Sequence, residues 1–368
     1  MAVASLSLQH LARNYGKVHA VDDLSVEVPE GAFVTLLGPS GCGKSTTLNL
    51  IAGLDKPDAG TILLGDRNIT SMPPNERRMA MVFQNYALYP NMTVFDNIAF
   101  SLKLRKRPVS EVTARVTAVA DMLDIGHLLH RKPLQLSGGQ QQRVALGRAL
   151  VKEPLVFLLD EPFSNLDAAL RSRMRTEVKH LHVRLGTTSI FVTHDQEEAM
   201  TLSDMICVMR DGKLVQFGTQ AEIYGKPRNT YVATFVGKPK MSLVDGMLEY
   251  RADEVDFVGP GIRIGLGKRA ALGLRDGNWS EVALGVRAED VNVVSPEASI
   301  GPGSFEASVQ LLEPIGSDTF VELSVGPALI VARVQPDLPL ELGQLVRAEM
   351  IPGRIHLFER GQGERINA

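Results

Sequence analysis

Several features that define other protein classes are scarce in this sequence. No apolar run approaches the roughly 20 residues that a helix needs to cross a bilayer, and the N-terminus lacks a charged segment followed by an apolar one. We therefore expect neither a membrane span nor a secretion signal. Two cysteines, Cys42 and Cys207, are too few for the disulfide framework of a small secreted domain, which favours a reducing, cytoplasmic compartment. The formal net charge of −3 argues against nucleic-acid binding, which normally leaves a basic footprint.

The composition that is present fits a soluble chain with two domains. The 368 residues exceed the usual size of one domain, and the 44% hydrophobic content is ordinary for folded proteins. Lysine and arginine outnumber aspartate and glutamate by 27 to 23 before Pro239, whereas the acids lead by 19 to 12 after it. We therefore place the boundary within residues 237–242, with a first domain at 1–238 and a second at 239–368.

Three short apolar runs in the first domain are typical of parallel strands that are buried on both faces. They cover residues 32–37, 155–159 and 189–192. A glycine-rich loop closes the first run, and residues 46–54 then show apolar side chains at helical spacing. This order of strand, loop and helix predicts an α/β core with a mostly parallel sheet.

A helical segment is predicted to interrupt this core between about residues 90 and 153. Near the end of the domain, Asp211 and Gly212 between apolar residues predict a tight hairpin. The helices expected within the insert cover residues 94–104, 109–123 and 139–150.

The second domain shows short alternating stretches, punctuated by glycine and proline, at residues 305–312, 320–325 and 329–334. Such a pattern predicts an all-β fold. The length and strand spacing suit a small, partly open barrel of the oligonucleotide/oligosaccharide-binding (OB) type, although periodicity does not distinguish a barrel from a sandwich.

The loop between the first predicted strand and helix satisfies the phosphate-loop pattern in the context that this motif requires. Its glycines let backbone N–H groups face the phosphates, Lys44 reaches the outer phosphates, and Ser45 ligates magnesium. An ordinary glycine-rich turn would need neither the Lys-Ser pair nor the buried strand. Because Cys42 lies at a helix N-terminus, we expect a lowered thiol pKa. The residues predicted to contact ATP here are Gly38, Pro39, Ser40, Gly41, Cys42, Gly43, Lys44, Ser45 and Thr46.

Two acids follow the second apolar run, at the carboxyl end of a buried strand where ligands collect in open α/β sheets. We expect Asp160 to hold magnesium through water. Glu161 is predicted to orient or deprotonate the water that attacks the γ-phosphate. The alternative for Glu161 is an ordinary helix cap.

A second anion-binding helix N-terminus is predicted where Ser137, Gly138, Gly139 and Gln140 open the third helix of the insert. Taken alone, this segment is more typical of an ordinary cap. In its order with the phosphate loop and the acidic pair, it resembles the signature sequence of ABC ATPases. The resemblance implies that the signature of one subunit closes over the ATP held by another, so that two identical or closely related chains form two composite sites.

The same resemblance implies roles for four further residues. Tyr15 would stack on adenine, and Gln84 would sense magnesium and the γ-phosphate. Asp167, in the loop at residues 164–167, would help to couple the two sites, and His194 would contact the γ-phosphate and place the water. Each has a structural alternative: packing on a hairpin for Tyr15, a solvated loop for Gln84, and a purely structural histidine for His194.

Residues 81–90 and 92–100 resemble the importer subfamily that serves maltose, glycerol phosphate and trehalose. Apolar side chains beside Gln84 would offer a groove for a short amphipathic helix of a permease. Core packing is an equally good account of two of them, Met92 and Phe95. The four apolar residues considered are Ala87, Leu88, Met92 and Phe95.

Three segments of the second domain, at residues 285–290, 313–320 and 351–358, resemble the regulatory β-domains appended to that subfamily. Ala288 departs from the pattern, because many relatives carry proline there, and so does Lys238-Pro239, where a small residue is common after the glycine. Neither departure touches ATP chemistry.

The resemblance as a whole implies an enzyme: the ATP-hydrolysing subunit of an ABC importer, which uses ATP and Mg²⁺. It implies a homodimer, or a pair with a related ATPase, at the cytoplasmic face of the cell membrane. Integral permease subunits would be direct partners and an external solute-binding protein an indirect one. A sugar is the expected solute, with polyamine, sulfate, molybdate or ferric-ion import as alternatives. A soluble ABC ATPase without a permease is a further alternative, disfavoured by the lack of a second cassette.

Overall fold

The computed structural model describes residues 4–268, 272–275, 279–294, 301 and 303–368. The chain divides into two compact units, Met1–Gln220 and Ala221–Ala368. Among the described residues, no helix combines the length and apolar character needed to cross a membrane.

The first unit is built on a six-stranded sheet with the order β10-β9-β3-β8-β7-β6. All neighbours pair in parallel except β9 and β10, which confirms the predicted, mostly parallel sheet. Asp211 and Gly212 join β9 to β10 with positive φ angles of 50° and 81°, as the Asp-Gly hairpin requires. The strands are β3 (Phe33–Leu37), β6 (Met79–Val82), β7 (Val156–Asp160), β8 (Thr188–Thr193), β9 (Met205–Arg210) and β10 (Lys213–Thr219).

A second, antiparallel sheet with the order β2-β1-β4-β5 was not expected from the sequence. Helix α1 (Lys44–Ala52) shares one apolar core with both sheets, through Leu48, Leu50 and Ile51. Because α1 begins at Lys44, within the predicted phosphate loop, this packing fixes the position of the loop. The strands are β1 (Leu6–Tyr15), β2 (Val18–Val28), β4 (Ala59–Leu64) and β5 (Arg67–Asn68).

The helical insert is present and agrees with the predicted helices to within one residue. It contains α2 (Val94–Leu104), α3 (Val109–Met122) and α4 (Gly138–Leu150). Two more helices follow, α5 (Ala168–Leu185) and α6 (Gln196–Leu202). The sequence had not indicated α5.

The second unit is all-β apart from two short helices, as predicted for a small OB-like domain. Two five-stranded antiparallel sheets, with the orders β13-β12-β11-β14-β20 and β15-β19-β16-β17-β18, enclose one apolar core. The helices are α7 (Gln220–Gly225) and α8 (Thr230–Phe235). The strands are β11 (Ser242–Arg251), β12 (Glu254–Gly259), β13 (Ile262–Lys268), β14 (Glu281–Val286), β15 (Val291–Val294), β16 (Ser304–Ile315), β17 (Asp318–Val325), β18 (Ala328–Val334), β19 (Leu345–Met350) and β20 (His356–Glu359).

The structural division after Gln220 precedes the boundary that the sequence had placed at residues 237–242. The reason lies in the buried Arg287, whose guanidinium donates to the carbonyl oxygens of Tyr224 (2.8 and 3.2 Å) and Val236 (2.9 Å). Ala233 of α8 also packs on Phe358 of β20. Residues 221–236 therefore fold with the β unit, although their composition gives no sign of it.

Candidate active site

The predicted phosphate loop connects the fully buried strand β3 to the N-terminus of α1. Gly43 precedes the helix with φ 101°, and a Cβ atom there would lie 2.2 Å from the carbonyl oxygen of Ala20. A Cβ atom on Gly38 would lie 2.5 Å from the carbonyl oxygen of Met209. Glycine is therefore the only residue that fits either position without a backbone shift. The first N–H groups of α1 have no acceptor within the helix, so this end of α1 suits an anion.

Lys44 is buried, and its ammonium is enclosed by the loop to which it belongs. Nζ donates to the carbonyl oxygens of Gly38 (2.9 Å) and Pro39 (2.8 Å). Pro39, Ser40 and Gly41 form the exposed rim of the loop. The loop therefore fixes the positive charge of the Lys44 ammonium beside the N-terminus of α1.

Cys42 does not have the lowered pKa that its position suggested. Its side chain is buried in the apolar core, and burial raises the pKa of the thiol more than the nearby Lys44 ammonium lowers it. Sγ lies 3.8 Å from Lys44 Nζ. Since the side chain faces the protein interior, any contact of Cys42 with a nucleotide would have to be made by its backbone.

The two predicted acids at the end of β7, Asp160 and Glu161, have different side-chain partners. Ser45 Oγ donates to Asp160 Oδ1 over 3.1 Å, and burial raises the pKa of Asp160. Glu161 has a positive φ of 41°, and its backbone N–H donates to Val192 of the neighbouring strand β8 (3.1 Å). Glu161 Oε2 lies 3.2 Å from Nδ1 of His194, just beyond the end of β8. The sheet therefore gathers Ser45, Asp160, Glu161 and His194 from three separate segments at its carboxyl edge.

Tyr15 ends β1 and is half exposed, so it is not packed into the hairpin. Its hydroxyl donates to the Asp55 carboxylate, and the Arg13 guanidinium carbon lies 4.8 Å from the centre of its ring. The following strand β2 passes directly beside the phosphate loop, since Ala20 borders Gly43. This arrangement places an exposed aromatic ring on the hairpin that adjoins the loop.

Gln84 lies in a loop that is hydrogen-bonded to the loop at residues 164–167, which contains Asp167. Gln84 is exposed, and its carbonyl oxygen accepts from the Asn165 side chain (3.0 Å), which ties its loop to residues 164–167. Among the hydrogen bonds of the described residues, none joins the Gln84 amide to Ser45 or Asp160. Asp167 caps the N-terminus of α5 and accepts from the backbone N–H of Leu170 (2.9 Å).

The chain after Gln84 is anchored to the helical insert by two side chains that sequence reasoning missed. The buried Asn97 of α2 exchanges hydrogen bonds with the backbone of Tyr89 (2.8 and 3.1 Å), and Arg148 of α4 donates to the carbonyl oxygens of Tyr86 and Ala87. Of the four apolar residues considered for a permease groove, Leu88 and Phe95 pack partly against the helical core, Met92 is half-buried, and Ala87 is exposed.

The predicted signature forms the N-terminus of α4 with a reciprocal cap. Ser137 Oγ accepts from the backbone N–H of Gln140 (3.4 Å), while Gln140 Oε1 accepts from the backbone N–H of Ser137 (3.0 Å). A Cβ atom on Gly139 would lie 2.9 Å from Leu170, and one on Gly138 would lie 3.2 Å from Leu166. The two glycines therefore pack against Leu170 in the first turn of α5 and against Leu166 in the loop just before it. Within the described chain, no hydrogen bond joins the signature to the phosphate loop.

Sequence reasoning also missed the buried carboxylate of Glu198, four residues after His194. Glu198 of α6 is buried and accepts from the Thr193 hydroxyl at 2.5 Å, while Arg171 of α5 approaches Asp195 and Glu198. Asp195 gave a partial signal, because it caps α6 and precedes two acids in the first turn. The approach of Arg171 is a tertiary contact and leaves no local pattern.

A buried strand, a glycine-rich loop that holds a lysine, and a Ser-Asp pair beside a Glu-His pair define a phosphate-loop ATPase. Comparison with known sequences makes the class specific. The ABC transporter family model matches residues 21–164, and the TOBE domain model matches residues 301–357.

Similar proteins match along nearly the whole chain. The sulfoquinovosyl glycerol transport ATP-binding protein of Agrobacterium fabrum is 45% identical over 369 residues, which cover 97% of this chain and 98% of the relative. The trehalose/maltose import ATP-binding protein of Thermococcus litoralis is 45% identical over 99% of this chain and 100% of its own length. The sn-glycerol-3-phosphate import ATP-binding protein of Cupriavidus pinatubonensis is 42% identical, with both chains covered in full.

Two solved structures share the fold of the first unit. The cbiO1 protein of Clostridium perfringens, described as part of an ABC transporter complex, superposes with a TM-score of 0.56 at 30% identity over 59% of this chain and 89% of its own. The dimeric ATP-binding cassette MJ0796, bound to ADP and Pi, gives a TM-score of 0.52 at 31% identity over 58% of this chain and 98% of its own. The chain belongs to the ABC transporter ATP-binding proteins of the importer type: it is an ATP-binding, ATP-hydrolysing subunit with a C-terminal TOBE domain.

Proposed function

We propose that two copies of this chain hydrolyse MgATP at two shared sites and thereby drive solute uptake through a membrane permease. One observation carries the proposal. The sheet edge gathers Lys44, Ser45, Asp160, Glu161 and His194, whereas the signature packs on α5 and has no hydrogen bond to the phosphate loop in the described chain. In this proposal, the phosphate loop and the signature of one chain would therefore belong to two different ATP sites.

The residues at the loop fit a nucleotide with magnesium. Lys44 would bind the β- and γ-phosphates, and the N–H groups from Gly41 to Thr46 would surround them. Ser45 and Asp160 offer hard oxygen donors 3.1 Å apart, which suit Mg²⁺ directly or through water, and Gln84 would complete the set from its loop. When bound, Mg²⁺ would neutralise developing charge on the phosphates. The exposed Tyr15 ring would stack on adenine, since stacking on a base is worth about 1 to 3 kcal/mol.

Glu161 and His194 would act on the attacking water. The Glu161 carboxylate would accept a hydrogen bond or a proton from it, and His194 would hold the water and the γ-phosphate in line. The contact of 3.2 Å between Glu161 Oε2 and His194 Nδ1 would keep the two groups aligned. Asp160 would remain with the magnesium, because its partner in the structure is Ser45.

The second half of each site would come from the other copy. Ser137, Gly138 and Gly139 would approach the partner's γ-phosphate with the exposed N-terminus of α4, whose dipole favours an anion. Gln140 would keep this end in shape through its capping box, and Asp167 would help to couple the sites. The solved dimeric cassette with ADP and Pi supports this arrangement by similarity.

The permease and the solute are proposed from the relatives. Their names describe import of trehalose/maltose and sn-glycerol-3-phosphate and transport of sulfoquinovosyl glycerol, so a sugar or a related polyol derivative is the proposed solute. The subunit would sit peripherally on the cytoplasmic face of the membrane, where a permease helix would contact Ala87 and Leu88 beside Gln84. An external solute-binding protein would act through the permease.

The proposal is tested by activity and by association. We expect purified wild-type chain to hydrolyse ATP only with Mg²⁺ and Lys44→Ala to lose tight ATP binding, because backbone dipoles alone do not replace a point charge at the phosphates. The control is Lys56→Ala, outside the loop. Tagged chain isolated from solubilised membranes should bring integral membrane proteins with it. Magnesium-independent hydrolysis, or near-normal ATP affinity in Lys44→Ala, would contradict the ATP site, and recovery from the soluble fraction alone would favour an ABC ATPase without a permease.

A further inference from the structure

A buried carboxylate holds the segment that carries His194. The Thr193 hydroxyl donates to Glu198 Oε2 over 2.5 Å and accepts from the backbone N–H of Asp195 over 2.9 Å. Thr193 and Asp195, the residues on either side of His194, are therefore joined by a hydrogen bond through the Thr193 hydroxyl. Glu198 and Thr193 are both buried, so the bond between them is protected from competing water.

Arg171 connects this carboxylate to the loop at residues 164–167. Its Nη2 donates to the carbonyl oxygen of Leu166 (3.2 Å), its Nη1 lies 3.5 Å from Asp195 Oδ2, and its Nε lies 3.9 Å from Glu198 Oε1. Nε is buried and has no hydrogen-bond partner in the described chain. The guanidinium thus spans the gap between the start of α5 and the cap of α6.

A small cavity places this group in the same space as the proposed catalytic pair. The cavity, of about 50 Å³, is lined by Glu161, Ser164 and His194 together with Arg171 and Glu198. A displacement of Glu198 or Arg171 would therefore affect His194 in two ways. It would change the cavity that these residues share with His194, and it would disturb the hydrogen bond between Glu198 and the Thr193 hydroxyl.

We propose that Glu198 and Arg171 are positioning residues for ATP hydrolysis. Glu198 holds His194 at the distance that aligns it with Glu161, and Arg171 couples that position to the loop at residues 164–167. The inference rests on the proposed roles of Glu161 and His194. Neither Glu198 nor Arg171 touches the reacting atoms. Their effect is on geometry, where a misplacement of about 1 Å costs on the order of 100-fold in rate.

The hydrogen bond is tested by a graded series at one position. Glu198→Ala should lower kcat by about 10- to 100-fold with the KM for ATP changed less than about threefold, because the phosphate loop is untouched. Glu198→Gln keeps an acceptor for Thr193 and should restore most of kcat. Glu197→Ala on the same turn of α6 is the matched control, since Glu197 is exposed and pairs with Arg175. Equal losses in Glu198→Gln and Glu198→Ala would overturn the role of the hydrogen bond.

A double-mutant cycle with His194 separates positioning from general stability. If Glu198 acts through His194, Glu198→Ala should have little further effect on kcat in a His194→Ala background. A loss of the same factor in both backgrounds would overturn the proposal. Thermal unfolding of each full-length variant shows whether it is folded, and Thr193→Val offers a milder route to the same loss of the hydrogen bond.

Arg171 is tested through cooperativity between the two sites. Arg171→Met should lower kcat and flatten the dependence of rate on ATP concentration, whereas Arg171→Lys, which keeps the charge, should lie between it and wild type. An unchanged rate curve in Arg171→Met would remove Arg171 from the proposal. If Glu161→Gln and His194→Ala themselves left hydrolysis unchanged, the proposed function would fail first, and that outcome is distinct from a failure of Glu198 or Arg171 alone.

Discussion

Alanine at two glycines of the phosphate loop should weaken ATP binding to very different extents. Gly41 and Gly43 both have positive φ, 81° and 101°, which costs a residue with a side chain about 1 to 2 kcal/mol. A Cβ atom on Gly41 meets nothing within 4 Å, whereas one on Gly43 would lie 2.2 Å from the carbonyl oxygen of Ala20. Relieving that contact requires a shift of β2 or of the loop, which adds about 1 to 3 kcal/mol.

These costs translate into affinity because the loop can relax only by leaving the conformation that presents its N–H groups. At 1.4 kcal/mol per factor of ten, we expect ATP to bind roughly 5- to 30-fold more weakly to Gly41→Ala and roughly 30- to 4,000-fold more weakly to Gly43→Ala. Titration with a fluorescent ATP analogue measures both, and urea unfolding shows that both variants remain folded. Equal affinities in the two variants would refute the argument from the contact with Ala20.

Three further predictions concern other parts of the chain. Because burial raises the pKa of the Cys42 thiol, a thiol reagent at neutral pH should modify the folded chain slowly, with or without MgATP. Rapid modification that MgATP blocks would instead support a lowered pKa for this thiol. His356 is buried near Arg365 and Arg287, and burial lowers its pKa to about 4, so its neutral form contributes about 3 kcal/mol that is complete above pH 6.5 and lost as the pH falls to 4. Urea unfolding at pH 7 and pH 5 should show about 2 kcal/mol of this loss in wild type, because pH 5 still lies above the lowered pKa, and much less in His356→Asn. An equal pH dependence in both would contradict it. A chain that ends at Gln220 should bind ATP with wild-type affinity, since every predicted nucleotide contact precedes residue 195, and a folded fragment without affinity would show that the second unit contributes to the site.

Elements with a strong local pattern could be predicted from the sequence, whereas others, including α5 and β1, could not. Helix α5 was missed because only Met174 and Val178 of its 18 residues are buried, so apolar periodicity is weak even though Asp167 and Gly186 mark its ends. Strand β1 was missed because bulges shift its register between Leu8 and Leu11, which breaks the alternation expected of a strand.

The same distinction between local sequence pattern and tertiary packing applies to the candidate active site. The loop from Gly38 to Ser45 is contiguous, so its residue types alone predict its chemistry. The pKa of Cys42 depends on which side of the loop faces the core, and that is a tertiary property. The contact between Arg171 and Glu198 joins two helices whose packing no local spacing reports.

The central claim is that the ATP site is completed by a second chain, and one measurement tests it most directly. Glu161→Gln preserves shape and hydrogen bonding but loses basicity, so it should bind ATP, stall hydrolysis and hold two chains together. Adding Ser137→Arg would bury a bulky cation without matching partners where the signature meets the partner's nucleotide, which should prevent closure. Size-exclusion chromatography with light scattering, with and without ATP, should find an ATP-dependent dimer for Glu161→Gln and a monomer that binds ATP for the double variant. Full ATP-dependent dimerisation of the double variant would contradict the two-chain site.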